Sequence, residues 1–279
     1  MKRVAIFALL PLAALALVAA MIATALIVRE SGDSEKPADA GASSAEEPEP
    51  SSSPRLAPES SVCQGILHVP ESGAPQSFSP EYTQFRKASG FTIVANADVD
   101  EKALDEAVET VERVFRNNDL EDPLIAEGAY VIVADGEQGV LELPEFRCMD
   151  TAENQDFYSH VCGVADRADY PVVTVNERDL LGNRRGPCGG LNILYHELGH
   201  MVQGWALPPA DYFDIRQFFQ DAMSSGKYKN EYASRNANEY FAEAVQAYFL
   251  TQDGESRDRD WLERYDPQIY ELLSRTFGE

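Results

Sequence analysis

Two histidines stand four residues apart in the run His196-Glu197-Leu198-Gly199-His200. On an α-helix, residues i and i+4 lie one turn apart on the same face, so both imidazoles can point at a single metal ion. Glu197 follows the first of them, where its carboxylate can reach a metal-bound water without being a ligand. This is the arrangement in which one helix supplies two zinc ligands and a general base. Leu191, Ile193, Leu194, Leu198 and Val202 give the run the apolar face that a partly buried helix needs. The chain has only four histidines in 279 residues. The other two, His68 and His160, read as ordinary surface or core residues.

A catalytic zinc takes three protein ligands and leaves a fourth position open. No histidine follows His200, so a carboxylate must complete the set. Asp211, Asp214 and Asp221 are available, but the segment from Asn236 to Phe249 is a stronger source. Its Glu239 and Glu243 are again i and i+4, and Phe241, Ala244, Val245 and Tyr248 surround them with apolar surface. Burying acids in such company is costly unless they are paired or bound to metal. Glu239 is therefore assigned to one Zn2+ ion together with His196 and His200. Glu243, one turn on, is placed to accept a hydrogen bond from the free ring nitrogen of His196 and so fix its tautomer.

The same residues resemble a known family. His196-Glu-Leu-Gly-His200 followed by Tyr232-Ala-Ser-Arg-Asn-Ala-Asn-Glu239-Tyr-Phe-Ala-Glu243-Ala looks like the catalytic domain of anthrax lethal factor and its relatives, the secreted bacterial Pro-Pro endopeptidases among them. The likeness covers residues 190–251, with Tyr240 standing where the family pattern has Phe. It implies a zincin-like metallopeptidase of the gluzincin type, with Glu239 as third zinc ligand and Tyr232 stabilising the transition state. The chemistry agrees, because a phenol opposite the metal can donate to the oxygen that gains charge during amide hydrolysis. Glu197 would take a proton from water and pass it to the leaving amine. The implied partner is a protein or peptide substrate. Two other readings are a zinc hydrolase acting on a non-peptide amide of the cell wall and a non-catalytic binding module on the same fold. The first would need a sugar-stacking face, for which only Trp205 and Trp261 are available. Arg184 and Arg185 could contact substrate, and Arg235 either orients the site or pairs with one of many acids.

The elements that must position these residues follow from periodicity. Phe91–Asn96, Ala129–Ala134 and Pro171–Asn176 read as strands. A helix runs from about Asp100 to Asn117, with Ala103, Leu104, Ala107, Val111 and Val114 on one face and Asp98 or Asp100 as N-cap. Residues 136–170 mix Gly, Pro, Cys and acids and read as a long excursion. Helices are expected over 190–204, 212–224, 237–251 and 260–276. A small mixed sheet followed by helices is an α+β domain. Val172–Asn176, the last strand before the catalytic helix, is the expected edge to which a substrate adds as a strand.

Composition divides the chain into three. Val4–Val28 is 25 residues without a charge, behind Lys2 and Arg3. It is long enough to span a bilayer, for which about 20 apolar residues suffice. Residues 1–30 therefore read as a signal-anchor with everything after them exported, although Ala23-Thr24-Ala25 offers a cleavage site that would release a secreted form. Residues 31–62, rich in Ser, Glu and Pro, read as a disordered tether, and 63–279 as the metallopeptidase domain. The net charge of −24 argues against nucleic acid as a partner, since phosphate recognition needs clustered bases. It likewise leaves the N-terminal helix as the sole membrane contact. Oligomeric state leaves no mark on the sequence. The cysteines, Cys63, Cys148, Cys162 and Cys188, all fall on the exported side and suggest disulfides. Loop spacing favours Cys148–Cys162 with Cys63–Cys188. No CxxC spacing supports a cysteine-ligated zinc.

Overall fold

A computed structural model describes residues 78–158, 161–165, 171–250 and 257–278, all within the compact unit 52–279. The expected signal-anchor, the tether, Cys63, His68 and His160 lie outside the described residues. No described helix is long and apolar enough to cross a membrane.

The chain enters through a hairpin of β1 (Gln84–Ala88) and β2 (Phe91–Ala95). Ser89 and Gly90 form its two-residue turn, both at positive φ, the geometry that matches the twist of the flanking strands. Next come α1 (Glu101–Phe115), a short α2 (Glu121–Ala126) and β3 (Tyr130–Ala134). Asp100 is the N-cap of α1 and accepts from Lys102 N at 2.9 Å. The excursion that follows holds α3 (Ala152–Tyr158) and the two-residue strand β4 (Gly163–Val164), and leads into β5 (Val172–Asn176) and the single turn α4 (Glu177–Leu180). The helical half is α5 (Leu194–Trp205), α6 (Pro209–Ser224), α7 (Ala237–Phe249), α8 (Arg259–Tyr265) and α9 (Pro267–Phe277). The architecture is α+β, as the periodicity implied.

The sheet order is β1-β2-β3-β5-β4. Strands β2, β3 and β5 run parallel, and every residue in them is buried, as expected where both faces of a parallel core are covered. Helices α1, α5, α7 and α9 pack the larger core against one face, around Val131, Val173 and Val175. A smaller cluster around Ile132, Leu143 and Phe146 covers the other.

Three expectations need correction. Strand β5 is not an edge: β3 pairs with it on one side and β4 on the other. Among the described residues the edge on that side is β4, which is too short to leave a periodic signal. The helix expected over 260–276 is two helices, broken at Asp266-Pro267, because the residue before proline is driven out of the α region; Asp266 has φ −141° and ψ 74°. Finally, Cys162 is bonded to Cys188, with Cα atoms 5.4 Å apart, and not to Cys148, which is oxidised as well. Loop-closure entropy changes slowly with loop length, so spacing ranks pairings weakly. The fold decides instead, by laying β4 beside the approach to α5. That approach is anchored on buried Asp179, whose carboxylate accepts from Cys188 N at 3.0 Å and Gly190 N at 2.8 Å.

Candidate metal centre

Helix α5 begins where Asn192 turns the chain inward. Its side chain accepts from Leu194 N at 3.1 Å and donates to Thr110 Oγ1 on α1 at 3.0 Å. One turn later the helix presents His196, and His200 a turn beyond that. Helix α7 is started by Asn236, which accepts from Asn238 N at 2.9 Å and Glu239 N at 3.0 Å. Glu239 thereby sits in the first turn, facing α5. The two helices can close on each other because position 199 is glycine. A Cβ there would lie 3.1 Å from Ala242 Cα and 3.2 Å from Val245 Cβ, tighter than real contacts ordinarily are.

Three atoms converge as a result. His196 Nε2 is 3.1 Å from His200 Nε2. Glu239 Oε2 is 3.2 Å from the first and 3.3 Å from the second. Ligands about 2.0–2.1 Å from a tetrahedral zinc are about 3.3–3.4 Å apart, close to the edges of this triangle. Glu239 Oε2 is buried and has no well-directed hydrogen-bond donor, an expensive state for a carboxylate oxygen unless a cation meets it. The donor set, two imidazoles and one carboxylate, suits zinc. These three residues therefore fit a metal ion.

The electrostatics point the same way. Burial alone would disfavour a charged His196, but the close carboxylates of Glu239 and Glu243, with the nearby charge of Glu197, raise it to about 10. Burial alone would raise Glu239, but His196 and His200 overrule it and hold the carboxyl down to about 2. A buried imidazole ringed by carboxylates is a place that calls for positive charge.

Around the triangle, Glu243 Oε1 lies 3.3 Å from His196 Nδ1, the position from which a carboxylate fixes a ligand histidine's tautomer. Glu197 is buried beside the edge strand: a Cβ on Gly163 would come within 3.1 Å of Glu197 Cγ, 2.6 Å of Ile193 Cδ1 and 2.5 Å of Thr174 O. Gly163 thus brings bare strand backbone against Glu197. Tyr232 opens a 3₁₀ turn, Tyr232–Ser234, and its ring centroid is 6.0 Å from that of His196. It is 43 % exposed and so faces the open side. The guanidinium of Arg235 lies 4.2 Å above its ring centroid, a cation–π contact.

All six residues singled out in the sequence, His196, Glu197, His200, Tyr232, Glu239 and Glu243, are thus brought to one place. Asp211, Asp214 and Asp221 are on α6 and none joins the cluster. Sequence reasoning missed Gly163, Gly199 and the stacking role of Arg235. Gly199 had a signal, since a glycine inside an apolar helix usually marks close packing; the two-residue strand around Gly163 had none. A second group, Cys162, Asp179 and Cys188, also brings ligand types together. Its sulfurs are bonded to each other and are not thiolates, so it is no metal site.

The profile of the family described as "Anthrax toxin lethal factor, N- and C-terminal domain" matches residues 87–276. The chain belongs to the anthrax toxin lethal factor family. The match spans both the sheet and the helical half of this family member, further than the residues 190–251 that carry the motif. A solved structure with a similar fold is the Pro-Pro endopeptidase PPEP-2 from Paenibacillus alvei. The two share 20 % identity with a TM-score of 0.52, over 66 % of this chain and 96 % of that one. A search of curated proteins finds no match to this lethal factor family sequence.

Proposed function

We propose that this lethal factor family member is a zinc-dependent metalloendopeptidase. The observation that carries the reading is the triangle of His196 Nε2, His200 Nε2 and Glu239 Oε2, with edges of 3.1, 3.2 and 3.3 Å and an undonated buried oxygen at one corner. Family membership and the fold shared with a Pro-Pro endopeptidase support the peptide bond as the target.

His196, His200 and Glu239 would hold the ion. Zinc bound there would supply Lewis acidity, polarising a carbonyl and bringing the pKa of water to about 7. Glu197 accepts the proton of the attacking water and returns it to the leaving amine. Tyr232 donates its hydroxyl to the oxygen that gains charge. Glu243 holds His196 in orientation through Nδ1. The peptide is aligned by adding to the edge strand β4, whose backbone passes Glu197 at Gly163.

The reading extends to location. The Cys162–Cys188 disulfide belongs in an oxidising compartment, and the charge-free run Val4–Val28 supports export. We place residues 63–279 outside the cytoplasmic membrane, carried on the tether 31–62 and the anchor 1–30, or released from it by cleavage.

The test uses the purified full-length chain and a Glu197→Ala partner. Both should contain one zinc per chain by atomic emission, and only the first should cleave a peptide library analysed by mass spectrometry. A zinc-free parent would sink the metal assignment. Equal cleavage by both would remove Glu197 from the chemistry.

A further inference from the structure

Behind the metal-facing side of α7 lies a second buried carboxylate, Asp266, 1 % exposed at the break between α8 and α9. Its Oδ2 accepts from Tyr240 OH at 2.9 Å, and Tyr240 is the residue after Glu239. Its Oδ1 accepts from Lys227 Nζ at 3.0 Å, and Lys227 lies in the turn that delivers Tyr232. That turn is an irregular one, with Gly226, Tyr228 and Asn230 all at positive φ. The neighbour of Asp266 grips it too: Tyr265 OH accepts from Tyr228 N at 3.1 Å. Tyr228 packs edge-on against Tyr240, with ring centroids 5.5 Å apart. Burial, then the charge of Asp266, raises the phenol of Tyr240, so it stays a donor.

We propose that Asp266 is a positioning residue that holds the Tyr232 turn in register with the Glu239 helix. One carboxylate grips both pieces, and each piece carries a group of the proposed centre. The turn ends on a half-exposed tyrosine that has to stay aligned with the ligands to within the fraction of an ångström that catalysis requires. The inference rests on the role given to Tyr232 above.

The test is a double-mutant cycle on the full-length protein, with kcat, KM, bound zinc and melting temperature measured throughout. Asp266→Asn should lower kcat by about ten- to hundred-fold, the scale of an ångström-level misplacement. KM should stay within about twofold and zinc at one per chain. In a Tyr232→Phe background the same change should alter kcat by less than about twofold, because the group it positions is gone. Tyr240→Phe removes a single hydroxyl and should show the same pattern if Asp266→Asn does not fold. Tyr82→Phe, which strips a hydrogen bond from a different buried carboxylate, should lower the melting temperature and leave kcat alone.

Equal losses of kcat in both backgrounds would overturn the inference, as would loss of zinc in proportion to activity or an unchanged kcat. If Tyr232→Phe alone leaves kcat unchanged, the assignment of Tyr232 fails and takes this inference with it. If Tyr232→Phe is slow and Asp266→Asn slows it further by its full factor, only the positioning role fails.

Discussion

Two glutamates on opposite sides of the sheet, one wholly buried and one half-buried with a buried oxygen, show how alike residues come to differ. Glu145 sits in the smaller cluster, where Tyr130 OH donates to Oε1 at 2.6 Å and Tyr82 OH donates to Oε2. Both of its oxygens have a donor, and the group closes on itself. Glu239 sits between α5 and α7 with an oxygen aimed at two imidazole nitrogens, neither of them a well-directed donor. The first carboxylate is satisfied by the chain and belongs to the fold. The second has a buried oxygen that finds no hydrogen-bond donor among the described residues. The less exposed of the two is the satisfied one, so depth does not explain the contrast; the donors that each oxygen finds do.

The sharpest way to break this contrast is to neutralise each acid in turn. Glu239→Gln should abolish stoichiometric zinc and lower peptide cleavage by at least about 10²-fold, the scale on which removal of a single catalytic group is felt. Glu145→Gln should leave zinc and kcat unchanged. Equal zinc content in the two variants would erase the distinction. A smaller effect is expected at Glu243, which touches the ligand and not the metal position. Glu243→Gln should weaken zinc affinity by about 10- to 100-fold in a competitive chelator titration.

Acidity separates the two regions further. His196 is raised from 6.5 to about 10, so its pairing stabilises the metal-free fold fully below pH 6.5 and is lost as pH climbs through 10. Glu239 is lowered from 4.5 to about 2, so its contribution is present above pH 4.5 and lost as pH falls through 2. The metal-free protein should therefore gain most from this pair between pH 4.5 and 6.5. Because zinc needs an unprotonated His196, the stabilisation that zinc adds should grow as pH rises from 6.5 towards 10. Thermal melts of chelated and zinc-loaded protein across that range check both limbs. A zinc increment that shrinks with rising pH would contradict the ligand assignment. The smallest effect belongs to the satisfied side, where Tyr82→Phe should cost about 1–3 kcal/mol in urea denaturation, the penalty for an acceptor left buried and undonated.

The sequence carried much of the centre and less of its surroundings, for physical reasons. His196, His200, Glu239 and Glu243 could be grouped from the sequence because side chains on one face of a helix repeat at fixed steps. The parallel strands β2, β3 and β5 were legible because each is an unbroken apolar run. Strand β4 was not, since two residues bounded by cysteine and alanine make no period. Its absence from the reading turned β5 into an edge. The helix break at Asp266 was written in Pro267 and overlooked because the apolar period ran across it. Asp266 itself gave no sign; its importance comes from which two segments the tertiary fold brings within reach of one carboxylate.

Gly199 sets a rule for anyone wishing to move this centre elsewhere. Packed helices usually stand about 8–10 Å apart, a spacing set by the side chains at their contact. Transplanting the two histidines and the glutamate onto a helix pair held apart by a bulkier residue at the crossing would reproduce the motif and leave the carboxylate short of its mark. A scaffold has to be chosen first for helices that can touch backbone to side chain at one point, and only then for positions to carry ligands. Saturating position 199 should return glycine almost alone among zinc-binding clones, with alanine tolerated only where α7 slides outward.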